Sequence, residues 1–271
     1  MLVSIIIPVF NQVRFTKICI ESLQAARPEK SEVIVINNGS SDETAQYLQE
    51  CRDITVIYNE KNLGCARAWN QGIRASRGQW IAIVNNDIIL SPGWFEGLLD
   101  FAREKKAAIV SPAIREGQYN YDIVSYSKDF ISRMSGVSRM GVAQGILFMV
   151  RRDVFDEIGF FDENFRIGQF EDEDFFRRAK LGGYVLGTTG RSFIHHFGSM
   201  TQNYIRGKEP ENRYEDDNRA YYRGKYNLSF LKRFIDRRFG KLQAGWWRTS
   251  ERMLHGHSLL EKLIKGHLRY F

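Results

Sequence analysis

VSIIIPVFNQVRFTKICIESLQAARPEKSEVIVINN, residues 3–38, decides the fold. It holds two near-continuous apolar runs, VSIIIPVF and EVIVINN, and between them FTKICIESLQAA carries its apolar residues at helical spacing. Apolar runs without polar alternation are the pattern of strands covered on both faces. The unit then repeats: SDETAQYLQECR, ITVIYNE, GCARAWNQGIRAS and QWIAIVNND read as helix, strand, helix and strand. Such alternation predicts an α/β fold with a doubly wound, mostly parallel sheet flanked by helices. Ligands of these sheets sit beyond the carboxyl ends of the strands. Polar residues collect there: Asn11 after the first strand, Asn37 and Asn38 after the second, Asn59 and Asn62 after the third, and Asp87 after the fourth.

A chain of 271 residues, 43% of them apolar, is long enough for one large domain or a domain with an appendage. No run approaches the roughly 18 apolar residues of a spanning helix, and MLVSIIIPVF lacks a charged leader region and a cleavage site, so a cytoplasmic protein is expected. Three cysteines, Cys19, Cys51 and Cys65, without paired spacing favour reduced thiols. The net charge of +7 is uneven: from Lys225 onward eleven Lys or Arg face three Asp or Glu, leaving the preceding residues with 28 against 29. The body therefore lacks the basic face that nucleic acid requires, and no nucleic-acid motif is present. Neither a Gly-x-Gly-x-x-Gly turn after the first strand nor a P-loop occurs, so dehydrogenase and P-loop readings lose their main support. No internal repeat is visible.

The second half adds FEDEDFFRR around Asp172 and IHHFGSMT around His196. A carboxylate with an imidazole can hold a divalent cation, and a separate carboxylate can take a proton; together they suit transfer of a group off a nucleotide diphosphate. In SIIIPVFNQ (4–12), VINNGSSDET (35–44), NEKNLGCARAWNQGI (59–73), IAIVNNDIILSPGW (81–94), AQGILFMVRRDVFDEIGFFDENF (143–165), EDEDFFRRAKLGGY (171–184) and IHHFGSMT, the chain resembles the family 2 glycosyltransferases, inverting enzymes of the GT-A fold. The resemblance runs from about Ser4 to Asn227, and its order and spacing make it specific.

That resemblance implies a catalytic domain over 1–224, with a donor half to about residue 95 and an acceptor half from 96. Its donor-binding positions fall on Pro8, Val9, Asn11, Asn37, Asn59, Asn62, Gly64, Arg67, Asn85, Asn86 and Asp87. Asn37 stands where the family commonly has a base-contacting Asp, and an amide both donates and accepts. Small residues at Gly64 and Ala66 permit close approach of a phosphate to a helix N-terminus, although ordinary strand-to-helix packing needs them too. Asp87 corresponds to the last acid of the DxD-like site, with Asn85 replacing the first; a turn cap is the plainer reading. His196 aligns with the metal-binding histidine, while His195 would face the other way on an extended strand. Mn²⁺ or Mg²⁺ is the implied cofactor.

In Glu171 to Asp174, four acids open an amphipathic helix, where the dipole alone favours them. The resemblance makes Asp172 the general base, with Glu171 as the alternative, and places Trp94 and Gly145 on the acceptor side. The implied partners are a nucleotide-sugar donor and a saccharide, lipid-linked or protein acceptor. A sugar-nucleotide pyrophosphorylase would instead show a Gly-rich, Arg-containing loop where this chain has PVFNQVRF, and a silent binding scaffold would have no need of both Asp87 and Asp172.

From 225 to 271 the chain changes character. Leu228, Leu231, Ile235, Phe239, Leu242 and Trp246 recur at three- and four-residue steps among Lys232, Arg233, Arg237, Arg238 and Lys241. A basic amphipathic helical extension is predicted, broken near Gly240 and followed by a second helix around Leu259 to Leu268. Peripheral membrane contact, packing on the domain and self-association all remain open for it. His255 and His257 are too few for a metal site. Arg206 to Asn218 reads as a mobile loop or a linker.

Overall fold

The computed structural model describes residues 2–208, 211–264 and 267–271. The strands β1 (Val3–Val9), β2 (Ser31–Asn38), β3 (Thr55–Asn59) and β4 (Trp80–Val84) alternate with the helices α1 (Val13–Ala25), α2 (Thr44–Glu50) and α3 (Cys65–Ala75). All neighbouring pairs among these strands are parallel, in the order β4-β1-β2-β3. Their apolar runs lack alternation because each face has its own core. Ile5, Ile7, Val33 and Val35 pack toward α1, whereas Ile6, Ile34 and Ile36 pack toward α3.

The chain then continues through β5 (Ile88–Leu90), α4 (Trp94–Lys105), β6 (Ile109–Glu116), α5 (Ile123–Met134), β7 (Ser138–Met140), β8 (Leu147–Arg151), α6 (Arg152–Ile158), α7 (Glu171–Leu181) and β9 (Leu186–His196). β8 inserts antiparallel between β4 and β6, and β9 runs parallel to β6 while also pairing with β5 and β7. The result is the mostly parallel, helix-flanked sheet expected from the sequence.

The end of the chain departs from expectation. The stretch 206–218 is not a loop: α8 (Met200–Lys208) and α9 (Tyr214–Lys225) occupy most of it, residues 209–210 lying outside the described part. The basic helix α10 (Phe230–His255) runs through Gly240 without a break. Among the described residues no second helix follows. β10 (Leu260–Ile264) and β11 (His267–Tyr270) form an antiparallel hairpin, with residues 265–266 outside the described part, and β10 pairs parallel with β6. The helical spacing of LLEKLIKGHL yields to the unpaired edge of β6, because an edge offers a ladder of backbone partners. Glu261 can point inward there because Tyr126 donates to it at 2.6 Å and Ser258 N–H at 3.3 Å.

Candidate active site

The ends of β1, β2 and β4 surround a cavity whose walls include Pro8, Val9, Asn62, Asn85, Asn86 and Asp87. Six residues expected at a donor site are thus brought together. Asn38 also lines the cavity and organises its edge: its amide donates to Asn62 Oδ1 (2.9 Å), and its carbonyl accepts from Asn59 (3.0 Å) and Leu63 N–H (3.1 Å). Asn11 and Asn37 hold the loops rather than the cavity wall. Asn11 Oδ1 accepts from Ser41 N–H and Asp42 N–H, and Asn37 Oδ1 accepts from Ser40 N–H at 3.0 Å. Gly64, at φ +88°, lies so close to the 166–168 backbone that a Cβ would sit 2.9 Å from Ile167 N. Arg67 points outward and pairs with Glu163 at 3.7 Å, both half-exposed.

Asp87 and His196 meet because β5 and β9 pair in register, Ile88 opposite His196. His196 Nε2 lies 3.4 Å from Asp87 Oδ2, and both side chains are almost fully buried. On its other side, β6 places Glu116 directly opposite His196, and Glu116 Oε2 is 3.1 Å from Nδ1. Ser199 N lies 3.3 Å from Nε2, a contact that only the neutral imidazole with its proton on Nδ1 and given to Glu116 can accept, whereas the acids on either side favour the doubly protonated ring when no cation is bound. Met200 N–H donates to Asp87 Oδ2 at 2.8 Å. Burial works against charge on His196, yet Asp87 and Glu116 outweigh it and lift the imidazole to about 9; the hydrogen bond from His196 draws Glu116 down to about 2. Burial would raise Asp87, but His196 and the Met200 amide keep it below the ordinary carboxylate range. His195 turns to the other face, where Tyr121 Oη lies 3.0 Å from Nδ1 and burial lowers its pKa to about 4.

Glu116 was not among the expected residues. The signal was an acid closing the apolar run AAIVSPAIRE, but only strand register shows that it faces His196. Among the described residues no three His, Cys, Asp or Glu side chains form a metal cluster. Asp87 and His196 nevertheless suit a hard or borderline divalent ion. They offer one carboxylate oxygen and one imidazole nitrogen on adjacent strands, and Glu116 orients the imidazole as an outer partner does in metal sites.

A second cavity adjoins the first, sharing Cys65, Asn85, Ser199 and Gln202, and its floor carries Glu171, Asp172 and Gly145. A Cβ on Gly145 would lie 1.8 Å from Asp172 Oδ2, so the glycine makes room for this carboxylate. Burial raises Asp172 above the usual aspartate range and, with the neighbouring Asp172 charge, pushes Glu171 up to about 8. Asp174 is fully buried and structural: Arg178, Tyr226 and Lys225 all bond its carboxylate. Trp94, expected on the acceptor side, lies elsewhere. It is fully buried against the α1 core, with its indole N–H on Ala26 O at 3.0 Å.

The segment entering α7 is strained, with Ile167, Gln169 and Phe170 all at positive φ. One side chain holds it. Asn218, buried on α9, accepts from Arg166 N–H (2.8 Å) and donates toward the carbonyls of Arg166, Gly168 and Gln169. Sequence reading passed over Asn218, since nothing local distinguishes it from the polar residues around it.

A cleft at the strand ends, an Asp–His pair beside it and a carboxylate facing its second chamber, set on this sheet, define a GT-A-type protein. Residues 4–160 match the family model described as glycosyl transferase family 2, and the chain belongs to that family. It is 28% identical over 125 residues to the glycosyltransferase GlyG of Streptococcus pneumoniae, covering 45% of this chain and 40% of that protein. It is 25% identical over 193 residues to the glycosyltransferase AglE of Haloferax volcanii, covering 68% of this chain and 63% of that protein. The chain thus spans less than two thirds of each of these relatives. Among solved structures it resembles GalNAc-T7, determined with UDP, GalNAc and Mn²⁺ (TM-score 0.60, 17% identity, 87% of this chain and 54% of that one). It also resembles Staphylococcus aureus TarS residues 1–349 (TM-score 0.57, 17% identity, 72% of this chain and 60% of that one). At such identities these two likenesses establish the fold.

Proposed function

We propose that the chain is a metal-dependent inverting glycosyltransferase that moves a sugar from a nucleoside diphosphate to an acceptor hydroxyl in polysaccharide, glycolipid or glycoprotein assembly, on the cytoplasmic side. The observation that carries this reading is the placement of Asp172 in the chamber adjoining the Asp87–His196 pair, with Gly145 clearing space in front of its carboxylate. The donor lies in the first cavity, against Asn38, Asn62 and the Asn85–Asp87 strand end. Asp87 and His196 Nε2, which here meet the amides of Met200 and Ser199, are the groups that would hold Mn²⁺ or Mg²⁺. The cation, when bound, would supply Lewis-acid stabilisation for the departing diphosphate. Asp172 accepts the proton of the acceptor hydroxyl as that oxygen attacks the anomeric carbon from the opposite face, which inverts the centre. Its raised pKa strengthens it as a base near neutral pH.

The test is Asp172→Asn, assayed for transfer and, by thermal shift with UDP, GDP, dTDP and CMP species and their sugars with and without Mn²⁺, for donor binding. Loss of about 10²- to 10⁴-fold in turnover with donor stabilisation intact is expected. A variant retaining more than a few per cent of turnover removes Asp172 from the base role, and the absence of any nucleotide-dependent shift in the wild type overturns the transferase reading itself.

A further inference from the structure

On α10, Leu231, Ile235, Phe239, Leu242, Trp246 and Met253 are between 43% and 81% exposed. At 100° per residue they fall within about 80° of arc and make a stripe along nearly the whole helix. The stripe faces away from the protein. Trp247 and Glu251, on the other side of the helix, meet the body: Glu251 forms a buried two-point pair with Arg139 (2.8 and 2.9 Å), whose guanidinium lies 5.3 Å from the Trp247 ring. Ser258 and the carbonyl of Phe271 also bond Arg139, so the hairpin β10–β11 and the end of α10 are fixed together. The sequence left packing of this helix on its own domain open; the helix does pack there through Trp247 and Glu251, and the apolar stripe takes no part in that contact.

Over Phe230 to His255 seven Lys or Arg stand against two Asp or Glu, and one of those two acids, Glu251, is neutralised by Arg139. Arg233, Arg237, Lys241, Arg248 and Arg252 fall within about 100° of arc on the polar side, and Arg238 borders the stripe. We propose that α10 docks on an anionic lipid bilayer through its apolar stripe, which lies at the acyl boundary, with Arg238 beside it and the other long basic side chains reaching back from the flank of the helix to phosphate headgroups. A bilayer offers apolar depth and negative charge together, as the helix requires. A second copy of the same helix would match the stripe but bring two strongly cationic segments into contact. No helix among the described residues is long and apolar enough to span a membrane, so the contact is a surface one. The proposal does not depend on the transferase reading.

The experiment is flotation of the full chain with vesicles of phosphatidylcholine alone and of phosphatidylcholine with 30% phosphatidylglycerol, at low and high salt. Light-scattering chromatography without lipid runs in parallel. The expected result is recovery with the anionic vesicles at least tenfold above neutral ones, reduced by salt. Leu242→Glu with Trp246→Glu should abolish it while the melting temperature holds, because both side chains are exposed. Arg237→Gln with Lys241→Gln should weaken anionic binding without touching the stripe. Failure of the wild type to float, or flotation of the Glu variant at wild-type level, overturns the proposal. A dimer without lipid that the Glu variant dissociates overturns it in favour of a second copy.

Discussion

Gly145 and the two acids of α7 set the proton chemistry of the site. A methyl group at position 145 would lie 1.8 Å from Asp172 Oδ2, so the carboxylate must swing aside. It would have to leave the Glu173 amide that it accepts from, a small cost at the end of a side chain, so the fold should tolerate the change while the base loses its aim. Gly145→Ala is expected to leave the melting temperature near that of the wild type and to lower kcat by about 10²-fold, the scale set by a misplacement of about 1 Å. Equal losses in stability and turnover would make Gly145 a packing residue. The two carboxyls titrate in sequence. Burial alone raises Asp172, whereas Glu171 is raised both by burial and by the Asp172 charge, to about 8. Turnover should fall as pH drops through the raised pKa of Asp172, because only the ionised form accepts a proton. Glu171 stays protonated at neutral pH. Glu171→Gln should leave the acid limb of the pH–rate profile in place and remove an inflection near pH 8; an unchanged alkaline limb would assign that inflection elsewhere.

At the scale of elements, α9 reaches across to hold the strained entry to α7. Three non-glycine residues at positive φ cost about 1–3 kcal/mol each and persist only when their surroundings fix them. Asn218 supplies that fixing with one amide. Asn218→Ala should destabilise the segment by at least about 2 kcal/mol, since it leaves buried backbone groups without partners. Faster amide exchange confined to residues 166–174, with raised KM or lowered kcat, is the expected signature, and wild-type exchange there would show that α7 holds its own entry. This element also shows where sequence reading stopped. The four parallel strands and their helices were legible because apolar runs report a sheet covered on both faces. Asp87, Asp172 and His196 were singled out by the family resemblance, and each stands at or beside the end of such an element. Asn218 and Glu116 act on backbone and side chains 49 or more positions away, through contacts that only tertiary register creates. Trp94 was misplaced because an aromatic residue next to a functional strand end serves a core as readily as a substrate.

At the scale of the molecule, the sheet is completed by the last residues of the chain, and that completion reaches the candidate metal site. β10 lies beside β6, Lys262 is ion-paired with Glu116, and Glu116 holds His196 Nδ1 from the side opposite Asp87. The basic segment thus enters the frame of the site through its hairpin. The two links in this chain differ in strength. The Glu116–His196 bond involves an almost fully buried imidazole and fixes which nitrogen is free, whereas Lys262 is 43% exposed and its charge is screened by water and salt. Outer partners of metal-binding histidines typically contribute about 10- to 100-fold in affinity. Glu116→Gln should therefore weaken Mn²⁺ binding by about that factor, read from free Mn²⁺ by electron paramagnetic resonance in the presence of UDP. Lys262→Met should weaken it by less than about fivefold. Nitrogen-15 chemical shifts of His196 separate positioning from general damage, because Glu116→Gln should lower the share of imidazole protonated on Nδ1 while the other histidines keep their shifts. Wild-type Mn²⁺ affinity in Glu116→Gln would reduce Glu116 to a strand-end ion pair. A Lys262→Met effect as large as that of Glu116→Gln would instead mean that the hairpin holds the carboxylate in place, with the edge of the sheet governing metal affinity from outside the site.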